Sequence, residues 1–390
     1  MRIRLIYLVA KREIHRLLER KILFFFILFA PALSFWTIEY LFSAGAIREI
    51  PLAVVDLDQS NLSRQLIKSV EASPLVKIVE HSADVKDAKS KIFKGKVSGA
   101  LVIPESLEKN VMSTKFAEVG VFVNNSNLVL GGNLQSGIYK AIASVNSDIK
   151  IKNHLKEGDY LSQAEAKSEP VSLDIHQLFN PFGNYAYFLV VGLLPVMLIV
   201  FTFLVSIYAL GSELKESTAG ELMKLANNNI INAISGKYIP YTIIFFVDAV
   251  LMNLIIFRVL EAPFKGSLWV MLISEFLLII AYQAIAVLFL AVTNNMRLSL
   301  SLGSAYSLLS FTFSGLTYPF MAMPLIARIF SWVFPYTFWL HIFLGESLRG
   351  QPIYSLQMDF IILIAFFLLG MLAFPTIKRR LTNPGQWGRR

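Results

Sequence analysis

Six runs of about twenty apolar residues, each long enough to cross the hydrocarbon layer as a helix, constrain this chain more than anything else in it. They are Ile22–Phe42, Tyr185–Leu210, Ile239–Phe257, Leu268–Val292, Leu298–Tyr318 and Asp359–Ile377. Only 16% of the residues are charged, against roughly 25% in an ordinary soluble domain. The interval between the first two runs, residues 43–184, is far longer than any other. The expected fold class is therefore an α-helical polytopic membrane protein with six transmembrane helices and one inserted α/β domain on the far side of the membrane.

The formal charge of +9 raises nucleic acid as a partner, but the basic residues gather beside the ends of the apolar runs, so none is expected. Arg2, Arg4, Lys11, Arg12, Arg16, Arg20 and Lys21 precede the first run, and Lys215, Lys224 and Lys237 lie between the second and third. Arg297 follows the fourth, and Lys378, Arg379, Arg380, Arg389 and Arg390 close the chain. The opposite short loops hold Arg258, Lys265, Arg328 and Arg349. Positive charge collects on the cytoplasmic side, which places both termini and the Leu210–Tyr241 segment there, in agreement with an even number of spans. The first run ends in Ser43, Ala44, Gly45 and Ala46, as a signal peptide would. It exceeds the usual apolar core of about 7–15 residues, so it is expected to stay as a span. The absence of cysteine excludes disulfides and thiolate metal sites.

Residues 1–21 read as an amphipathic entry helix along the cytoplasmic surface. Within 43–184 short apolar strands alternate with helices. Strands are expected at Pro51–Leu57, Leu75–Glu80, Gly99–Pro104 and Val119–Asn124, and helices at Ser60–Ala72, Asp84–Lys94, Glu105–Lys115 and Gly132–His154. That alternation predicts an α/β domain with one main sheet. Asp56 and Asp58, followed by Gln59, Ser60 and Asn61, fit turn and N-cap chemistry better than metal or acid catalysis. The stretch 319–350 is apolar and broken by Pro319, Pro324 and Pro335, and is expected to form short re-entrant or interfacial helices. Residues 378–390 form a basic cytoplasmic tail.

No G-x-x-x-x-G-K-[ST], H-E-x-x-H or G-x-S-x-G motif occurs, and His15, His81, His154, His176 and His341 are scattered. No enzyme site is expected, and energy for any transport must come from a partner or a gradient. Several segments resemble ABC-2 type transporter permeases, in particular those with a large extracytoplasmic domain between spans one and two. They are KREIHRLLERK at 11–21, PLAVVDLDQSNLSRQLIKSVEAS at 51–73, GALVIPESLEKNV at 99–111, the acidic stretch Glu213–Leu222, GKYIPY at 236–241, and the broken segment before the last span. One position departs from the pattern: Ser217 stands where the family usually has glycine.

The resemblance implies a permease subunit of an ATP-driven exporter in a bacterial inner membrane, moving an amphipathic, drug-like or lipid-like substrate out of the cytoplasm or inner leaflet. Residues 211–237 would be its coupling loop, with Glu213, Glu216, Gly220, Glu221, Gly236 and Lys237 seated on a separate ATPase subunit that carries the ATP and magnesium. No cofactor is expected on this chain. The other partners implied are a second permease, identical or similar, and a periplasmic adaptor at the outer domain.

Inside the spans Glu39, Asp248 and Glu275 are the costly residues, since an intramembrane carboxylate normally faces a cavity or a partner. Two readings stand. They share an outward-opening vestibule, or each is satisfied separately by Asn253, Gln283, a backbone group or a proton. Ser299, Gly303, Ser307, Ser310 and Ser314 form a small-residue stripe on the fifth run, expected as a dimer seam or pathway wall rather than internal packing. The rival functions are a proton-coupled transporter using Asp248 and Glu275, which would want an internal repeat that the sequence lacks, and a membrane-anchored receptor or scaffold.

Overall fold

The computed structural model describes residues 3–113, 115–168, 178–180 and 183–388. Arg2, His176, Arg389 and Arg390 lie outside them. The chain forms two compact units, Met1–Gly45 with Leu178–Arg390, and Ala46–Gln177. The helix α1 spans Ile3–Glu19 and α2 spans Lys21–Phe42. On α1, Ile6, Val9, Glu13 and Leu17 are buried, a spacing of three to four that puts them on one face.

The second unit is a four-stranded sheet in the order β2-β1-β3-β4, with β1 (Ile50–Asp56) parallel to β2 (Val76–His81) and β3 (Gly99–Ile103), and β4 (Gly120–Val123) antiparallel to β3. The helices α3 (Asn61–Glu71) and α4 (Val85–Phe93) make the crossovers that parallel pairing requires. The near-continuous apolar run of β1 suits a strand covered on both faces. Leu52 and Val54 pack with Leu66, Leu134 and Ile138, while Ala53 and Val55 pack with Ala88. After α5 (Leu107–Met112) and β4 comes α6, Leu128–Lys156, and then α7, Leu161–Ser168. The helix α5 is shorter than expected, because Ser106 before it takes a left-handed conformation and the helix stops at Ser113. The helix α6 begins earlier than expected, because the Asn127 side chain caps the amides of Val129 and Leu130.

Asp56 accepts hydrogen bonds from the amides of Asp58 and Gln59 at 3.1 and 2.9 Å and from the Ser63 hydroxyl at 2.8 Å. Its carboxylate is thus spent on the turn into α3. The expected domain limits of 43 and 184 move inward, because Gly45 accepts a hydrogen bond from the Tyr185 amide at 2.9 Å and so joins the first unit.

The first unit continues with α8 (Tyr185–Lys215), α9 (Ala219–Leu225), α10 (Ile230–Leu254), α11 (Leu268–Thr293) and α12 (Met296–Thr312). It ends with α13 (Leu325–Ser331), α14 (Pro335–Phe343), α15 (Gln357–Met371) and α16 (Phe374–Thr382). Among the described residues, five helices are long and apolar enough to cross a membrane: Leu23–Phe42, Tyr185–Lys215, Ile230–Val259, Leu268–Thr293 and Gln357–Thr382. A sixth exists if the pair Leu325–Ser331 and Pro335–Arg349, bent by 85° at its break, counts as one span. The expected fifth span is not among them, because its helix has 17 residues, about 25 Å at 1.5 Å per residue, at the short end of what crosses a hydrocarbon layer. It ends where Gly315 turns the chain at φ +85°.

The helices α8 and α11 are the centre of this unit, with 61% of their most apolar window buried, against 17% for α2 and 22% for Gln357–Thr382. The last two are the most exposed in this chain, with Phe25, Phe29, Trp36, Ile361 and Leu368 standing free on them.

Candidate functional site

Where α1, the end of α8, α9 and the start of α10 meet, four cations and four carboxylates interlock. Glu213 is fully buried at the end of α8. It accepts from Arg12 Nη1 at 2.8 Å, Lys237 Nζ at 2.8 Å, Arg16 and the Thr218 hydroxyl. Lys237, also fully buried, donates to Glu13 as well, at 2.6 Å, and the other oxygen of Glu13 accepts from the Tyr241 hydroxyl at 2.7 Å. At the edge, Glu216 meets Arg16 at 3.0 Å and Arg20, and Glu221 meets Arg12 at 3.3 Å. Burial works to raise the Glu216 pKa, but the hydrogen bond and charge of Arg20, with Arg16 behind it, hold the carboxyl below its ordinary value. Breaking a buried pair by removing one partner is far costlier than the pair is stabilising. Moving any one of the helices that supply the cluster would strand a buried charge.

Gly236 makes this approach possible. A Cβ there would lie 2.6 Å from Val9 Cβ and 2.7 Å from the Ile6 carbonyl oxygen, so α1 crosses α10 backbone to backbone. Gly220 faces the chain's own Trp387, whose ring would stand 2.7 Å from an added Cβ. The Gly388 amide also donates to the Leu214 carbonyl at 2.9 Å. The C-terminal tail therefore covers this side of α9.

The expectation that Glu213, Glu216 and Glu221 all face a partner is corrected here. Glu213 is enclosed and its charge is met within the chain, and Glu216 is held by Arg16 and Arg20. Glu221, with a side chain 71% exposed, is left facing outward beside Lys215, Lys224 and Asn228. In the sequence alone Arg12, Arg16 and Arg20 look like a basic flank, and Glu13 does not stand out. Their fourfold spacing, and the place of Glu13 between Val9 and Leu17 on the apolar face, were the available signals.

Ser217 adopts φ +62°, the left-handed region, at the position where the resemblance expects glycine. Ser217→Gly is expected to stabilise the turn by about 0.5–1 kcal/mol, since the strain of a side chain in that region outweighs the entropic cost of glycine. A rise in the thermal midpoint of the purified chain checks it.

Within the spans, α10 and α11 are joined by two polar contacts. Asn253 donates to both oxygens of Glu275 at 2.8 and 3.0 Å, and Thr242 donates to Gln283 Oε1 at 2.8 Å. Asp248 lies between these rungs on α10, buried, with Oδ2 unpartnered among the described residues. Glu39 is half-buried on α2, and no hydrogen bond joins it to Asp248 or Glu275 among the described residues. Both Glu275 oxygens are thus met by Asn253.

The small-residue stripe of α12 packs within the chain. Ser299, Ser307, Ser310 and Ser314 are buried within this one chain, and the Ser307, Ser310 and Ser314 hydroxyls donate to carbonyls of their own segment, those of Gly303, Ser307 and Phe311. Gly303 of the stripe stands against Ile207 and Phe203 of α8.

In the other unit His154, Glu157 and Asp159 offer ligand atoms within 4.8 Å of one another. Lys167 Nζ already meets both Asp159 oxygens at 2.7 and 2.8 Å, so the group is an ion-pair cluster. The sequence pattern of one protein family, described as ABC-2 family transporter protein, matches residues 20–374. No curated protein matches the chain.

Proposed function

Because the chain belongs to the ABC-2 family of transporter proteins, we propose that it is the permease of an ATP-driven exporter whose ATPase subunits dock on the exposed face of α9. The family makes it a multi-pass transport subunit that works with a separate ABC ATPase. The single observation that carries the coupling route is the buried ionic cluster. It ties α1, α8 and α10 together and reaches α9 through Arg12 and Glu221, so a push on α9 reaches two spans at once.

On this reading ATP binding draws two ATPase subunits together, the block moves as one, and α8 and the α12 packed on it tilt to release an amphipathic, drug-like or lipid-like substrate outward. The exporter is a homodimer or a heterodimer of permeases in a bacterial inner membrane. The positive-inside pattern puts both termini and α9 in the cytoplasm and the α/β unit outside, where that unit caps the exit or meets a periplasmic adaptor.

The test is purification from the native membrane in mild detergent, with mass spectrometry of what comes along. An ATP-binding subunit is expected with the wild-type chain and is expected to be depleted with Glu221→Lys. Wild-type chain that carries no ATPase but moves substrate down a proton gradient refutes the proposal and returns attention to Asp248 and Glu275.

A further inference from the structure

Away from the coupling cluster, a cavity of about 420 Å³ opens between the first turns of α8, the turn that follows α12, and α14 with its continuation Leu344–Arg349. Its walls are apolar, with Tyr187, Phe188, Leu316, Phe320 and Leu344 among them. Asn180 and Ser314 are its neutral polar residues, and two lining side chains, His341 and Arg349, can carry charge. His341 is fixed by Nδ1, 2.7 Å from Asp359 Oδ2, which leaves Nε2 as its free ring nitrogen. Arg349 is exposed and lies in no ion pair among the described residues. The neighbouring carboxylate, Glu346, is buried and turned to the Ser267 amide, which donates to it at 2.6 Å. A second cation stands nearby, since Lys265 Nζ lies 5.0 Å from the ring centre of Phe179, itself a lining residue.

We propose that this cavity binds an amphipathic anion, with an acyl or ring body against the aromatic walls and a carboxylate or phosphate headgroup on Arg349. The volume falls within the roughly 300–1,000 Å³ of small-molecule sites, which are mostly apolar with a few placed polar groups. A planar guanidinium free of carboxylate partners matches an oxyanion in two parallel hydrogen bonds. A cationic amphiphile would bring its charge against Arg349 and Lys265 and is rejected. The site's role in export rests on the permease reading, and the binding itself does not.

The experiment uses the purified full chain in nanodiscs of a zwitterionic lipid, without ATPase, and follows the fluorescence of cis-parinaric acid. Saturable binding is expected, displaced by laurate and not by dodecyltrimethylammonium. Arg349→Glu is expected to weaken it about tenfold or more, the scale of one charged hydrogen bond, and Arg349→Lys to keep most of it. Displacement by added phosphatidylglycerol identifies a bilayer lipid as the occupant, and displacement by laurate alone identifies a free single-chain anion. Either result upholds the anion site. A signal that rises without saturation, that Arg349→Glu leaves unchanged, or that the cationic amphiphile displaces equally well overturns it. Because no ATPase is present, a negative result leaves the exporter reading intact, and a chain that purifies without ATPase leaves the binding result intact.

Discussion

Replacing Lys237 by methionine is expected to destabilise the first unit by about 3–5 kcal/mol, the usual consequence of leaving a buried charge without its partner. Lys237 is fully buried and holds Glu13 at 2.6 Å and Glu213 at 2.8 Å. Glu213 keeps Arg12 and Arg16 in the variant, but Glu13, on the buried face of α1, is left with the Tyr241 hydroxyl and a distant Arg16 at 3.9 Å. Adding Glu13→Gln removes the stranded charge and keeps an acceptor for Tyr241, so the double variant is expected to recover most of the loss. Thermal unfolding of the detergent-solubilised single and double variants measures both effects. A single variant as stable as the wild-type chain would remove the cluster from any account of how the helices are held.

Gly236→Val is expected to have the second large effect, through geometry rather than charge. The added side chain meets Val9 and the Ile6 carbonyl at less than van der Waals distance, and α1 must move away from α10. Overpacking of this kind costs about 1–3 kcal/mol. The functional loss is expected to be larger, because retreat of α1 withdraws Arg12 and Arg16 from Glu213. Hydrogen exchange along α1 should rise in the variant, and reconstituted vesicles should show ATP hydrolysis with export reduced. Unchanged exchange and full export would mean that α1 takes no part in transmission.

The difference between what the sequence showed and what it hid follows from range. Apolar periodicity is local, so the span-length helices and the strand and helix alternation of the α/β unit were legible within a few residues at most of their ends. The apolar run of β1 was legible as a strand, but that it is covered on both faces came from the packing of Leu52 and Val54 on one side and Ala53 and Val55 on the other. The ionic cluster was not legible, because Arg12 and Glu213 are 201 residues apart. An arginine beside a membrane helix looks the same whether it waits in water or neutralises a buried glutamate. The motif Gly236-Lys237 was visible as a pattern, but its meaning needed α1 in place: the glycine admits a neighbouring backbone and the lysine crosses to that neighbour's carboxylate. The stripe on α12 is ambiguous for the same reason, since small residues mark close packing without saying what packs there. Ser217 shows the reverse case. Its departure from glycine left the turn open at the sequence level, and the backbone takes the glycine-like conformation all the same.

The most direct test of the central claim uses the absence of native cysteine. Lys224→Cys on the exposed side of α9, and Lys68→Cys on α3 of the α/β unit as the comparison, give single thiols to be modified by a membrane-impermeant maleimide in opened vesicles, with and without the ATPase. Protection of position 224 by the ATPase, with position 68 modified equally in both conditions, is the predicted result. Equal modification at 224, or protection at 68 instead, would contradict docking on α9 and the coupling route built on it.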